Sequence, residues 1–203
     1  MSASSHVMTP EQALKLLKEG NIRFVSDKPE HPHYGICRSF EVAGGQHPFA
    51  AVVTCSDSRV PPEIIFDRGI GDLFVVRVGG NVLEPAGLGS LVYAVRHLGC
   101  SLIVVMGHEN CGAVKTSLAA DTELIREPVT VIRLAEIIRE NIPETISNRS
   151  KIVDVIASAV KENTNAVARQ IETEPFLEQK AGEGTIVLTK AYYCLSTGVV
   201  FWL

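Results

Sequence analysis

Two short stretches gather the reactive side chains of this sequence. In "VVTCSDSRVPPE", residues 52 to 63, an apolar run leads into Cys55, Asp57 and Arg59 at alternate positions. In "SLIVVMGHENCGA" a second apolar run ends in His108 and Cys111, three residues apart. Thiolates and an imidazole are ligands that suit zinc, and three protein ligands leave one tetrahedral position open for water or substrate. Cys55, His108 and Cys111 make such a set if the fold brings the two stretches together. Each stretch also has a plainer reading. H-x-x-C arises by chance, a buried free cysteine can act as a small apolar residue, and an Asp beside an Arg can be a surface ion pair worth little.

The elements that would position these residues follow from hydrophobic patterning. "FAAVVT" (49 to 54), "LFVVRV" (73 to 78), "SLIVVMG" (101 to 107) and "GTIVLTK" (184 to 190) are short and rich in β-branched residues, as strands covered on both faces should be. Between them Leu88, Leu91, Val92, Val95 and Leu98 recur at helical spacing before Gly99, as do Val131, Leu134, Ala135 and Ile138. Residues 150 to 171 carry another long helical pattern. Alternation of strand and helix predicts an α/β fold with a mainly parallel four-stranded sheet and right-handed crossovers. The closing "AYYCLSTGVVFWL" reads as a hairpin around Ser196 to Gly198 that adds an antiparallel C-terminal edge strand. In such sheets ligands bind beyond the carboxyl ends of strands, where the two reactive stretches lie.

Ahead of the first strand, Thr9, Pro10 and Gln12 form a helix-start signature, and an amphipathic helix is expected over 10 to 20, ending at Gly20. The Pro- and Gly-rich segment from Ser26 to Gln46 reads as a long connection with short pieces of order at most.

The bulk properties exclude several functions. With 203 residues, 46% of them hydrophobic, the chain can bury one sizeable core. Its formal net charge of -4 and dispersed basic residues give no footprint for nucleic acid. No apolar stretch reaches the ~18 residues of a transmembrane helix, and the first residues lack the pattern of a signal peptide, so a cytoplasmic protein is expected. Five cysteines, an odd number at irregular spacing, favour metal or catalytic use over a disulfide framework.

"CSDSRVPPE" followed by "GHENCGA" resembles the β-class carbonic anhydrases, whose signature is C-x-D-x-R and, further on, H-x-x-C. The similarity extends to "NIRF", "GQHP", "DLFVVRVGGN", "GSLVYAV" and "AYYCLSTG", and so spans almost the whole chain. It implies one zinc ion per subunit on Cys55, His108 and Cys111, an Asp57–Arg59 dyad, and reversible hydration of CO2 to bicarbonate and a proton by attack of zinc-bound hydroxide. Asp57 would orient the zinc-bound water, and the fork of Arg59 would hold that carboxylate off the metal. The plant-like members line the substrate site with residues matching Gln46, Phe74 and Tyr93. Ordinary core packing is the alternative for Phe74 and Tyr93. The resemblance further implies a homodimer or higher homo-oligomer with the site at an interface. It divides a single domain, 1 to 203, into an N-terminal helical arm (1 to 45) wrapping a neighbour and an α/β zinc-binding core (46 to 203).

Some positions depart from the family pattern. Val52 and Thr54 stand where the subgroup with a bicarbonate-inhibited state has Trp and Gly, which predicts an open site without that switch. Cys194 stands where relatives commonly have Asp, and "VGGN" is more Gly-rich than usual. Cys37, Cys100 and Cys194 lack ligand-spaced partners and read as structural; His31, His33 and His47 read as solvated loop residues, and His97 as a contact at a helix end. Two other functions fit the motif: hydrolysis of carbonyl sulfide or carbon disulfide on the same site, and a non-catalytic zinc or redox protein, which would need a fourth ligand such as Cys37 or Asp57.

Overall fold

In the computed structural model, residues 8–147 and 152–203 are described. Thr9 caps α1 (Pro10–Val25): its hydroxyl accepts from Gln12 N at 3.3 Å, and Gln12 Oε1 accepts from Thr9 N at 3.0 Å. The helix passes through Gly20 rather than ending there. A Cβ at Gly20 would lie 1.8 Å from the carbonyl oxygen of Phe66, so this glycine marks a close approach of two backbones. α2 (Ile36–Val42) interrupts the long connection and buries none of its residues.

Strand and helix then alternate: β1 (Ala50–Thr54), α3 (Pro62–Ile65), β2 (Leu73–Arg77), a 3-10 turn (Gly79–Asn81), α4 (Pro85–Leu98) and β3 (Leu102–His108). After them come α5 (Gly112–Ser117), α6 (Asp121–Leu124), α7 (Val129–Glu140), α8 (Glu144–Ser147), α9 (Ile152–Glu172), α10 (Pro175–Gly182), β4 (Val187–Tyr193) and β5 (Val200–Trp202). Positions 150 and 151 of the expected long helix lie outside the described residues. The sheet order is β2-β1-β3-β4-β5, parallel except for β5, which pairs antiparallel with β4. β4 starts three residues later than its apolar run suggests. Gly184, at φ 71°, turns the chain out of α10, and pairing begins only where Val187 N bonds Ser101 O at 2.9 Å.

One face of the sheet packs Ala51, Val53, Ile103 and Val105 against α4, α9 and α10. The other packs Ala50, Val52, Leu102 and Val104 against Ala13 and Leu17 of α1 and Ile65 of α3. The helix expected to serve as an arm is therefore part of its own chain's core. Leu17 is fully buried, which contributes about 2 kcal/mol. Asn21 pins α1 further, donating to Ile65 O and Gly198 O and accepting from Val200 N.

From β1 the chain crosses to β2 on one side and then returns to β3 on the other side of β1. The carboxyl ends of β1 and β3 thus flank the point where strand order reverses, the place where open α/β sheets bind ligands.

Candidate metal centre

Cys55 follows β1 directly, His108 is the last residue of β3, and Cys111 caps the N-terminus of α5. The two stretches meet at the switch point. Their ligand atoms all lie within 4.8 Å of one another, and all three residues are buried. The Cys55 and Cys111 sulfurs are 3.9 Å apart. Two thiolates each about 2.3 Å from one tetrahedral ion would sit about 3.8 Å apart. His108 Nδ1 faces the Glu109 carbonyl at 2.9 Å and must donate to it, which leaves Nε2 as a bare lone pair. That Nε2 is buried and has no hydrogen-bond partner. A buried imidazole nitrogen left unpaired beside two sulfurs fits a metal and little else.

Polar hydrogens converge on the sulfurs. Asp57 N and Gly80 N point at Cys55 Sγ from 3.4 and 3.2 Å. The Cys55 thiol is pushed down to about 4, first by its hydrogen bond with Cys111 and further by the adjacent His108 ring and the N–H groups of Asp57 and Gly80, against burial. Cys111 is pushed the other way by the hydrogen bond and charge of Cys55 and by burial. Without metal the two sulfurs hold a proton between them, and binding a metal would expel it.

Asp57 stands at the rim of this cluster, its Oδ2 3.9 Å from His108 Nε2. Arg59 grips it bidentately, Nε to Oδ1 at 2.9 Å and Nη2 to Oδ2 at 2.7 Å, and donates its backbone N–H to Oδ1. These bonds hold the Asp57 carboxyl well below the usual carboxylate range. The carboxylate is thus charged, directed at the cluster and restrained from entering it. Arg77, which the sequence reading passed over, fixes the same turn: its Nε donates to Cys55 O at 3.0 Å and its Nη2 to Asp57 O at 2.7 Å. Its signal was a charged residue at the end of an otherwise apolar strand, in register with Thr54. Thr54 and Val52 are fully buried, and the Thr54 hydroxyl donates to Met106 O.

Gln46, Phe74 and Tyr93 are not gathered around the cluster within one chain. Gln46 is exposed in the loop before β1. Phe74 is level with Ala51, four residues before Cys55, or roughly 13 Å along the strand. Tyr93 is half-exposed on α4, its ring 4.9 Å from that of His97. Cys37 is exposed on α2 and outside the ligand group, so it supplies no fourth ligand. His33 is exposed, as expected of a loop residue, and its Nδ1 also meets Asp72 Oδ1 at 2.6 Å.

The carbonic anhydrase family model matches residues 50–200. A carbonic anhydrase of Mycolicibacterium smegmatis is 38% identical over 192 residues, covering 94% of this chain and 92% of that protein. Carbonic anhydrase 2 of Mycobacterium tuberculosis is 53% identical over 111 residues, and the match spans only 54% of its length and 55% of this chain. Among solved structures, the Coccomyxa β-carbonic anhydrase in complex with acetazolamide has 26% identity and a TM-score of 0.72, covering 94% of this chain and 86% of that one. The chain belongs to the carbonic anhydrase family, in its β class.

Proposed function

We propose that this chain catalyses the reversible hydration of CO2 to bicarbonate and a proton, with zinc held by Cys55, His108 and Cys111. The observation that carries this reading is the bare, buried Nε2 of His108 facing two sulfurs at the spacing of a tetrahedral site. When bound there, zinc supplies the Lewis acidity that brings the pKa of water toward neutrality. The chain's own residues do the rest. Asp57 accepts a hydrogen bond from the attacking water and so aims its lone pair at the carbon of CO2. Arg59 keeps that carboxylate in the accepting position and away from the metal. Arg77 and the Gly80 N–H fix the turn that carries Cys55 and Asp57.

The site is of the open, plant-like type, since Asp57 is engaged by Arg59, and it lacks the bicarbonate switch. Gln46 would offer an amide donor to a substrate oxygen, and Phe74 and Tyr93 an apolar wall, across an interface between subunits. Their distance from Cys55 within one chain and the half-exposure of Tyr93 support that arrangement. Exposed Tyr34, Ile36, Phe40 and Ile64 supply apolar surface for a homodimer or larger homo-oligomer. The whole works as one cytoplasmic domain, acting on a small molecule; no described helix is long and apolar enough to cross a membrane.

The test is stopped-flow CO2 hydration against pH on protein of measured zinc content, with sedimentation alongside. Activity that tracks zinc content and rises above neutral pH is expected from an oligomer. Zinc-loaded protein inactive at every pH would overturn the assignment, and a fully active monomer would overturn the shared pocket.

A further inference from the structure

Behind Cys55 the Gly80 N–H is the first link of a longer chain of hydrogen bonds. Gly80 donates its N–H to the Cys55 sulfur at 3.2 Å. Its carbonyl accepts from Asn163 Nδ2 at 2.6 Å, and Asn163 Oδ1 accepts from Asn141 Nδ2 at 2.9 Å. Asn163 lies on α9 and is fully buried. Burying an amide there is costly unless both of its ends are bonded, and both are.

The N–H and C=O of Gly80 sit on the two peptide planes flanking its Cα, and the residue is left-handed at φ 65°. Gripping the carbonyl therefore restrains the rotation that aims the N–H. Steric fit restrains it too, since a Cβ on Gly80 would meet Ile138 Cδ1 at 2.5 Å. We propose that Asn163, backed by Asn141, is a positioning residue for the metal centre: it sets Gly80 so that its N–H donates to the Cys55 thiolate. This rests on reading Cys55 as a metal ligand. Partners that orient a ligand in this way typically change metal affinity 10- to 100-fold.

The test uses the full chain, ¹⁵N-labelled and loaded with ¹¹³Cd. An amide that donates to a metal-bound sulfur shows scalar coupling to the metal through the hydrogen bond. In the unsubstituted protein, coupling is expected at the amides of both Gly80 and Asp57. In Asn163→Ala the Gly80 coupling should vanish while that of Asp57 persists, and zinc affinity in competition with a chromophoric chelator should fall about tenfold. Persistence of the Gly80 coupling in folded Asn163→Ala, or equal loss at both amides, would overturn the proposal. If that variant does not fold, Asn141→Ala, at the less buried end, should weaken the Gly80 coupling selectively, and an unchanged coupling there overturns it. Chain that takes up neither cadmium nor zinc removes the metal reading itself. Chain that binds metal without a Gly80 coupling removes only the role of Asn163.

Discussion

Cys55 and Cys100 are both buried cysteines at strand ends, and their thiols are pushed in opposite directions. Cys55, beyond the carboxyl end of β1, is lowered to about 4 by its hydrogen bond with Cys111 and the further donors around it. Cys100, ahead of the amino end of β3, is raised to about 12 by burial alone. Its one recorded bond is as a donor, from Sγ to Pro48 O at 3.2 Å. Burial by itself disfavours a thiolate, and donors aimed at the sulfur favour it. The fold distributes those donors unevenly. At the carboxyl ends of β1 and β3, a tight turn and a helix start expose N–H groups toward the sulfurs; at the amino end of β3 only a carbonyl faces Cys100.

The widest separation between the two cysteines should come from replacing each by serine. Cys55→Ser should lose its metal and its CO2 hydration down to background, whereas Cys100→Ser should keep full metal content and most of its activity, by metal analysis and stopped flow. Asp57→Asn should keep the metal but lose the charge that Arg59 grips. A drop in kcat/KM on the order of 10²–10⁴ is expected, as for loss of a positioned proton acceptor. Retention of full activity would mean that the carboxylate does not touch the reacting water.

The turn that supplies one donor to Cys55 can be broken directly. Gly80→Ala forces a Cβ into left-handed backbone at φ 65° and toward Ile138, a strain of about 1–3 kcal/mol in urea unfolding. Gly79→Ala, whose Cβ would sit 3.0 Å from the flexible end of Leu134 at ordinary backbone angles, should cost less. Equal costs would show that packing, not backbone conformation, makes the turn glycine-rich.

What was legible in the sequence follows the same division. The strands at the centre of the sheet could be read because they are apolar on both faces, and the cluster because Cys55, His108 and Cys111 sit directly at strand ends, where topology alone brings them together. Contacts between distant segments could not be read. Gly20 resembled a helix terminator because its neighbour, Phe66, is far away in sequence. The packing of α1 could not be read because the sheet face it covers is assembled from strands far apart in sequence and from α3. Gly80 and Arg77 act through backbone atoms and carry no motif of their own. The match of Gln46, Phe74 and Tyr93 to a substrate pocket came from resemblance, and no contact within one chain joins them to Cys55.

The smallest expected effect concerns Cys100. At neutral pH, Cys100→Ala removes one buried sulfur and should cost about 1 kcal/mol. Raising the pH should close that gap. In the unfolded chain the thiol ionises near its ordinary value of about 8.5, while the folded protein keeps the proton up to about 12. Between these values the unfolded state binds fewer protons than the native one, so the contribution of Cys100 is intact below the lower value and falls as pH rises through the window. The limiting slope is about 1.4 kcal/mol per pH unit for one proton. Urea unfolding of both proteins from pH 7 to 10 should therefore show wild type losing stability relative to Cys100→Ala, until the order of the two reverses. Parallel curves would mean that Cys100 ionises as freely in the fold as out of it, and the contrast with Cys55 would then lose its second half.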